Sequence, residues 1–164
     1  MRAIADLLTF DDFIMHWAED RPDRPALRED DRHYNYGELE EQTAKVVGFL
    51  QAAGLKKGDR VAWIGKNSDL YFTLFYGAAR MGVVMVPVGW RLAPAEWAFI
   101  VNDTKARLLF TGPGFDAIAD TLSPLLGDVE KVISADEARA GIAAAQRGDF
   151  EPAGPDDAVL QLYT

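Results

Sequence analysis

Several groups of residues in this 164-residue chain carry types and spacings that can do chemistry. In "LLFTGPGFDA", Gly112, Gly114 and Ala117 stand as G-x-G-x-x-A between a strand-like run and a helix-like one, and Asp136 follows the next apolar run. In dinucleotide-binding folds such a turn brings backbone close to a pyrophosphate at a helix N-terminus, and a later acid takes a ribose hydroxyl. The competing reading is a strand-to-helix turn broken by Gly and Pro. The mid-chain position, outside the first βαβ unit, favours that reading. His16 and His33 are the only histidines, and neither is spaced with carboxylates as a metal ligand would be. Asp30-Asp31 and Asp156-Asp157 are adjacent acids in polar turns and read as solvated. Trp90-Arg91 follows the apolar run "VMVPVG". Ligands of open α/β sheets bind beyond the carboxyl ends of the strands, and a guanidinium there suits phosphate. Taken alone, a surface salt bridge is the simpler role for Arg91.

The chain contains no G-x-x-x-x-G-K-[ST], H-E-x-x-H or G-x-S-x-G run. It contains no cysteine, so disulfides, thiolate catalysis and Cys-ligated zinc are excluded. No complete catalytic constellation is visible. The aromatics Trp63, Phe72, Phe75, Tyr76, Trp90, Trp97 and Phe99 could suggest a ligand pocket, but their spacings fit core packing better.

The elements that must position these residues follow from periodicity and breakers. A helix is expected after Thr9, with Asp11 and Asp12 in its first turn, ending at "DRPDRP". "ALRE" and "HYNY" flank a polar turn and predict a β-hairpin. Leu39, Val46, Val47, Leu50 and Ala53 share one helical stripe, with Gly54 as its stop. "RVAWIG" reads as a strand. A well-buried helix capped at Asn67 or Ser68 runs to about Met81, with Gly82 as its stop. "VVMVPV" reads as a buried strand whose Pro87 belongs near its end or at an edge. Pro94 starts a helix, "RLLFT" is a strand, and "FDAIADTLSPLL" is a helix stopped around Ser123-Pro124. "KVIS", "ADEARAGIAAAQR" and "AVLQLY" complete the series as strand, helix and strand, with a Pro/Gly linker over 148–157. Strands alternating with helices predict an α/β fold, an open, mainly parallel, Rossmann-like sheet with flanking helices. An entry helix and hairpin occupy 4–36.

The net charge of −9 is uneven: residues 1–111 carry 14 basic and 16 acidic side chains, and residues 112–164 carry 3 and 10. Such a surface repels phosphate backbones, so nucleic acid is not an expected partner. No apolar run is long enough to span a membrane. The start, "MRAIADLLTFDDF", lacks the features of a signal peptide, and a cytoplasmic location is expected.

Two long segments together resemble the adenylate-forming acyl-CoA synthetases and their relatives, the luciferases and adenylation domains. "HYNYGELEEQTAKVVGFLQAAGLKKGDRVAWIGKNS" is similar to the family's first region, a tyrosine, a Glu-Leu, a helix and Gly-Asp-x-Val before a strand. "GAARMGVVMVPVGWRLAPAEWAFIVNDTKARLLFT" is similar to its second, a G-A-x-x-x-G-x-x-x-x-P run leading to R-L and a Glu. Gly89 stands where the family pattern has Asn.

The resemblance implies that "LYT" leads into a phosphate-binding loop, with Thr164 its first residue, and that the chain is the N-terminal part of a longer protein's large domain. It implies a reaction in which a carboxylic acid, fatty or aryl, is activated with ATP and Mg²⁺ and passed to CoA. The catalytic groups are then expected beyond residue 164, so the chain by itself is expected to be inactive. Of the residues present, Arg91 is implied as a contact to the CoA nucleotide phosphate. A truncated sheet edge is further expected to favour a homodimer. Two alternatives stand beside this: a self-contained α/β nucleotide- or small-molecule-binding module, and a family member with another acceptor.

Overall fold

Four apolar strands lie side by side and parallel because a helical segment between each strand and the next returns the chain to the end of the sheet from which the strands start. The computed structural model describes residues 4–163. Its helices are α1 (Phe10–Asp20), α2 (Tyr36–Ala52), α3 (Asp69–Arg80), α4 (Pro94–Asp103), α5 (Ile118–Leu122) and α6 (Ala135–Ala144). Its strands are β1 (Pro25–Glu29), β2 (Arg32–Asn35), β3 (Arg60–Ile64), β4 (Val84–Val88), β5 (Leu108–Thr111) and β6 (Lys131–Ile133). β1 and β2 form the expected antiparallel hairpin. The other four form a parallel sheet in the order β4-β3-β5-β6.

That order places the chain reversal between β3 and β5. The chain leaves β3 for β4 on one side, then crosses to β5 on the other. The crevice at such a reversal, beyond the carboxyl ends, is where open α/β sheets take ligands.

Side-chain alternation builds a core on each face of the sheet. Val61, Trp63, Met85, Leu108 and Phe110 pack beneath α2, α3 and α6. Ala62, Ile64, Val86, Val88 and Leu109 pack beneath α4 and α5. Burial on both faces explains the nearly unbroken apolar strands.

The helix starts are set by local hydrogen bonds. Thr9 with Asp12, and Asn35 with Glu38, form reciprocal capping boxes on α1 and α2. Ser68 accepts from the Tyr71 N–H to cap α3, and Ser134 accepts from the Glu137 N–H to cap α6. Gly54 and Gly82 take the left-handed conformation expected of helix stops, at φ 77° and 70°.

Two expected elements differ. The helix expected over "FDAIADTLSPLL" starts late, at Ile118, and stops after Leu122, at the expected Ser123-Pro124, where a 3₁₀ turn over Ser123–Leu125 follows. Pro124 supplies no N–H and crowds the preceding carbonyls, so a regular helix does not continue through it. "AVLQLY" is not a full strand. It touches β4 through a single parallel bridge, Met85 to Leu160. The Met85 N–H donates to the Val159 carbonyl, and the Gln161 N–H donates to the Met85 carbonyl. Amides alternate in direction along a strand, and that of Val84 already faces β3. The next outward position on β4 is therefore Pro87, which has no N–H, and the ladder stops there.

Candidate functional site

The carboxyl ends of β3, β4 and β5 bring three short loops together. Gly65 and Gly112, which follow β3 and β5, approach so closely that a Cβ built on Gly65 would lie 2.8 Å from the Gly112 Cα. A Cβ on Gly112 would lie 2.9 Å from the Trp63 ring. Only glycine permits this contact. The glycine fingerprint is thus accounted for at Gly112 by strand-end packing. Gly114 makes its turn at φ 80°, and the helix beyond it has five residues. Asp136 lies in the first turn of α6.

The loop after β4 is held in place by Gly89. Its carbonyl accepts from the Trp97 indole N–H at 2.9 Å and from the Leu92 N–H at 3.0 Å. This fixes Trp90 and Arg91 between the carbonyl anchor and the start of α4. The Arg91 guanidinium lies 4.3 Å from the centre of the Trp90 ring, and the Lys66 ammonium lies 5.4 Å from the same centre. The edge of Trp90 meets Phe115, from the loop after β5, at 6.1 Å. Arg91 and Lys66 are exposed and Trp90 is half-buried. Among the described residues Arg91 has no carboxylate partner, so the salt-bridge role does not hold. Lys66 carried no signal of its own in the sequence. Its place just after "RVAWIG" mirrors that of Arg91 after "VMVPVG", and that parallel is the cue that would have found it.

Thr164 lies outside the described residues. Its neighbour Tyr163 is tied down: its hydroxyl donates to the Asp103 carboxylate at the end of α4. That hydrogen bond, with burial adding to it, raises the phenol above its ordinary range.

The remaining candidates are not gathered at this crevice. His16 is buried in α1 with its ring against Trp17, and His33 is in β2. Asp30 forms the hairpin turn at φ 49°. Asp157 pairs with Lys57 at 2.6 Å. Among the described residues no three His, Cys, Asp or Glu side chains could hold a metal ion. A polar cluster unmarked in the sequence surrounds Asp69, which is 1% exposed. It accepts hydrogen bonds from Arg139 at 2.5 and 2.9 Å, from Arg32 at 3.0 Å and from the Tyr34 hydroxyl at 3.1 Å. Burial pushes this carboxyl up, but the Arg139 hydrogen bonds, then the interaction with Glu29 and the charges of Arg139 and Arg32, hold it well below the usual range. The cluster joins the hairpin, α3 and α6, and is architectural.

The model of one family, described as "AMP-binding enzyme", matches residues 14–164. The chain belongs to this family. Its sequence is 34% identical over 151 residues to a fatty acid–[acyl-carrier-protein] ligase of Streptomyces coeruleorubidus, covering 90% of this chain and 28% of that protein. It is 36% identical over 141 residues to a long-chain-fatty-acid–CoA ligase of Mycobacterium tuberculosis, covering 82% of this chain and 27% of that protein. The solved N-terminal domain of FACL13 from M. tuberculosis superposes with a TM-score of 0.89 at 28% identity, covering 95% of this chain and 41% of that one. The AMP-binding fold expected from the two long segments is therefore present, as an α/β unit spanning little more than a quarter of the length of these curated relatives.

Proposed function

We propose that this chain is the N-terminal part of an ATP-dependent carboxylate–CoA ligase. In the proposed reaction a carboxylate oxygen of a fatty or aryl acid attacks the α-phosphorus of ATP. The bond to the β-phosphate oxygen breaks and pyrophosphate leaves. The CoA sulfur then attacks the acyl carbon of the acyl-adenylate, AMP leaves, and the thiol proton is released. The observation that carries the acceptor assignment is Arg91: an exposed guanidinium without a carboxylate partner among the described residues, set at the strand-end crevice of a family of AMP-binding enzymes. A guanidinium so placed is suited to a phosphate of CoA.

Tyr163, anchored by Asp103, supports a second part of the proposal. Thr164, which follows it, is read as the first residue of a phosphate-binding loop. In the proposed reaction Mg²⁺ enters with ATP, held by its phosphates. The proposal includes a cytoplasmic location and an inactive state for the 164-residue chain by itself. Among the described residues no helix is long and apolar enough to cross a membrane.

The test is ATP–pyrophosphate exchange with a panel of acids, followed by thioester formation with CoA. Exchange and CoA thioester from the full-length protein, with neither from the 164-residue chain, is the expected result. Exchange by the short chain would overturn its proposed incompetence. A carrier-protein acceptor is the second reading, favoured by the likeness to the fatty acid–[acyl-carrier-protein] ligase. It predicts exchange without CoA thioester.

A further inference from the structure

The segment that leads to Tyr163 holds β4 by one rung. The Met85 N–H and carbonyl take Val159 and Gln161, at 3.0 Å each. The outward position before Met85 is Val83, whose N–H is spent on the Ala78 carbonyl in α3. The outward position after it is Pro87, which has no N–H. A single rung sets the direction of a strand but not its register. A slip by two residues would offer Met85 an equivalent pair of backbone groups and leave each side chain on its own face. It would also move the chain by about 7 Å. Val159 packs on the core beneath α2 and α3, but Leu160 and Leu162 are exposed and add little hold. Two side-chain ties flank the rung. Before it, the Asp157 carboxylate takes the Lys57 ammonium at 2.6 Å and the Gly154 N–H at 2.6 Å. The Lys57 stem is itself laid across the turn before β4, where a Cβ on Gly82 would lie 2.8 Å from its Cγ. After the rung, the Tyr163 hydroxyl donates to Asp103 at the end of α4.

We propose that the Lys57–Asp157 and Asp103–Tyr163 pairs are register clamps, and that Lys57 and Asp103 are thereby positioning residues for the phosphates of ATP. They act through the chain that follows Tyr163, so the proposal rests on the reading of Thr164 as the start of a phosphate-binding loop. Backbone N–H groups that receive a phosphate must stand within a fraction of an ångström of their places, and a shift of about 1 Å can cost about 100-fold in rate. The sheet does not supply that precision here, because β4 offers one rung. The two clamps supply it from outside the ladder, one on each side of Met85. Both are exposed pairs, which add little to the stability of a fold. Their effect is therefore on the placement of the segment, and it is read in the handling of ATP.

The experiment measures KM for ATP and for the acid in pyrophosphate exchange by the full-length protein, with the denaturation midpoint of each variant beside it. The variants are Lys57→Ala, Lys57→Arg, Asp157→Asn, Tyr163→Phe, the double variant Lys57→Ala/Tyr163→Phe, and Lys56→Ala. Asp157→Asn removes the charge but keeps an oxygen for the Gly154 N–H, and Tyr163→Phe removes only the hydroxyl. Lys56 is exposed beside Lys57 and controls for net charge. KM for ATP is expected to rise by about threefold in each single loss and by about tenfold in the double variant, with KM for the acid and the midpoint nearly unchanged. Lys57→Arg, which keeps the ion pair, and Lys56→Ala should match wild type. An unchanged KM for ATP in the double variant overturns the proposal. So does a lowered midpoint with KM for ATP unchanged, which would make the pairs merely structural. An equal rise in Lys56→Ala assigns the effect to net charge and overturns the clamp. Wild type without ATP-dependent exchange overturns the reading of the phosphate-binding loop itself, and the clamps with it.

Discussion

Asp69 and Arg139 lie 70 residues apart in sequence and meet in a two-pronged ion pair, with the carboxylate wholly buried and the guanidinium partly so. The pair ties the start of α3 to α6, and Arg32 and Tyr34 extend it to the hairpin. Breaking a buried pair from one side leaves the other charge uncompensated. Asp69→Ala should therefore destabilise the fold by about 3 kcal/mol, read as a lower denaturation midpoint. A loss under about 1 kcal/mol would show that the pair is not a main tie.

The same carboxylate sets a dependence on acid. Its folded pKa is depressed below the ordinary 3.8, so its stabilisation is present above that value and is lost as pH falls from about 4 toward the folded value. Wild type should lose stability steeply below pH ~4, and Asp69→Asn should show a shallower slope there. Equal slopes in the two proteins would assign the acid sensitivity elsewhere.

The closeness of α2 and α3 depends on Gly77. A Cβ at that position would lie 2.3 Å from Val46 Cγ1 and 2.5 Å from Val46 Cβ. Neither atom is the free end of a flexible chain, so the helices must part. Gly77→Ala is expected to cost about 1–3 kcal/mol in chemical denaturation. An unchanged midpoint would mean that the two helices separate without loss.

Much of this architecture was legible in the residues. The periodicity of Leu39, Val46, Val47 and Leu50, the stops at Gly54 and Gly82, and the two-sided apolar strands are local signals, and the fold uses each of them. The start at Pro94 was equally plain, and of the two cap candidates Asn67 and Ser68 the fold uses Ser68. What was hidden is long-range. No local pattern links Asp69 to Arg139, or Lys66 to Trp90, because tertiary packing alone brings them together. "AVLQLY" has the composition of a strand, but pairing needs a partner's amides, and Pro87 removes one. The G-x-G turn had the spacing of a phosphate cradle, yet Gly112 serves the approach of Gly65 and Trp63.

The edge beside β4 leads to a prediction about association. Phe99 is 63% exposed and Leu162 is 64% exposed, and the outer face of β4 is paired at one bridge. Apolar surface beside unpaired backbone favours contact between chains. Light scattering of the 164-residue chain should show mass rising with concentration, and Leu162→Glu should reduce the rise. A concentration-independent monomer would contradict this.

The most direct measurement is the CoA dependence of thioester formation by the full-length protein carrying Arg91→Ala. If Arg91 holds a CoA phosphate through a charge-assisted contact, KM for CoA should rise by about tenfold while kcat at saturating CoA is largely retained. A KM for CoA equal to that of wild type would contradict the account.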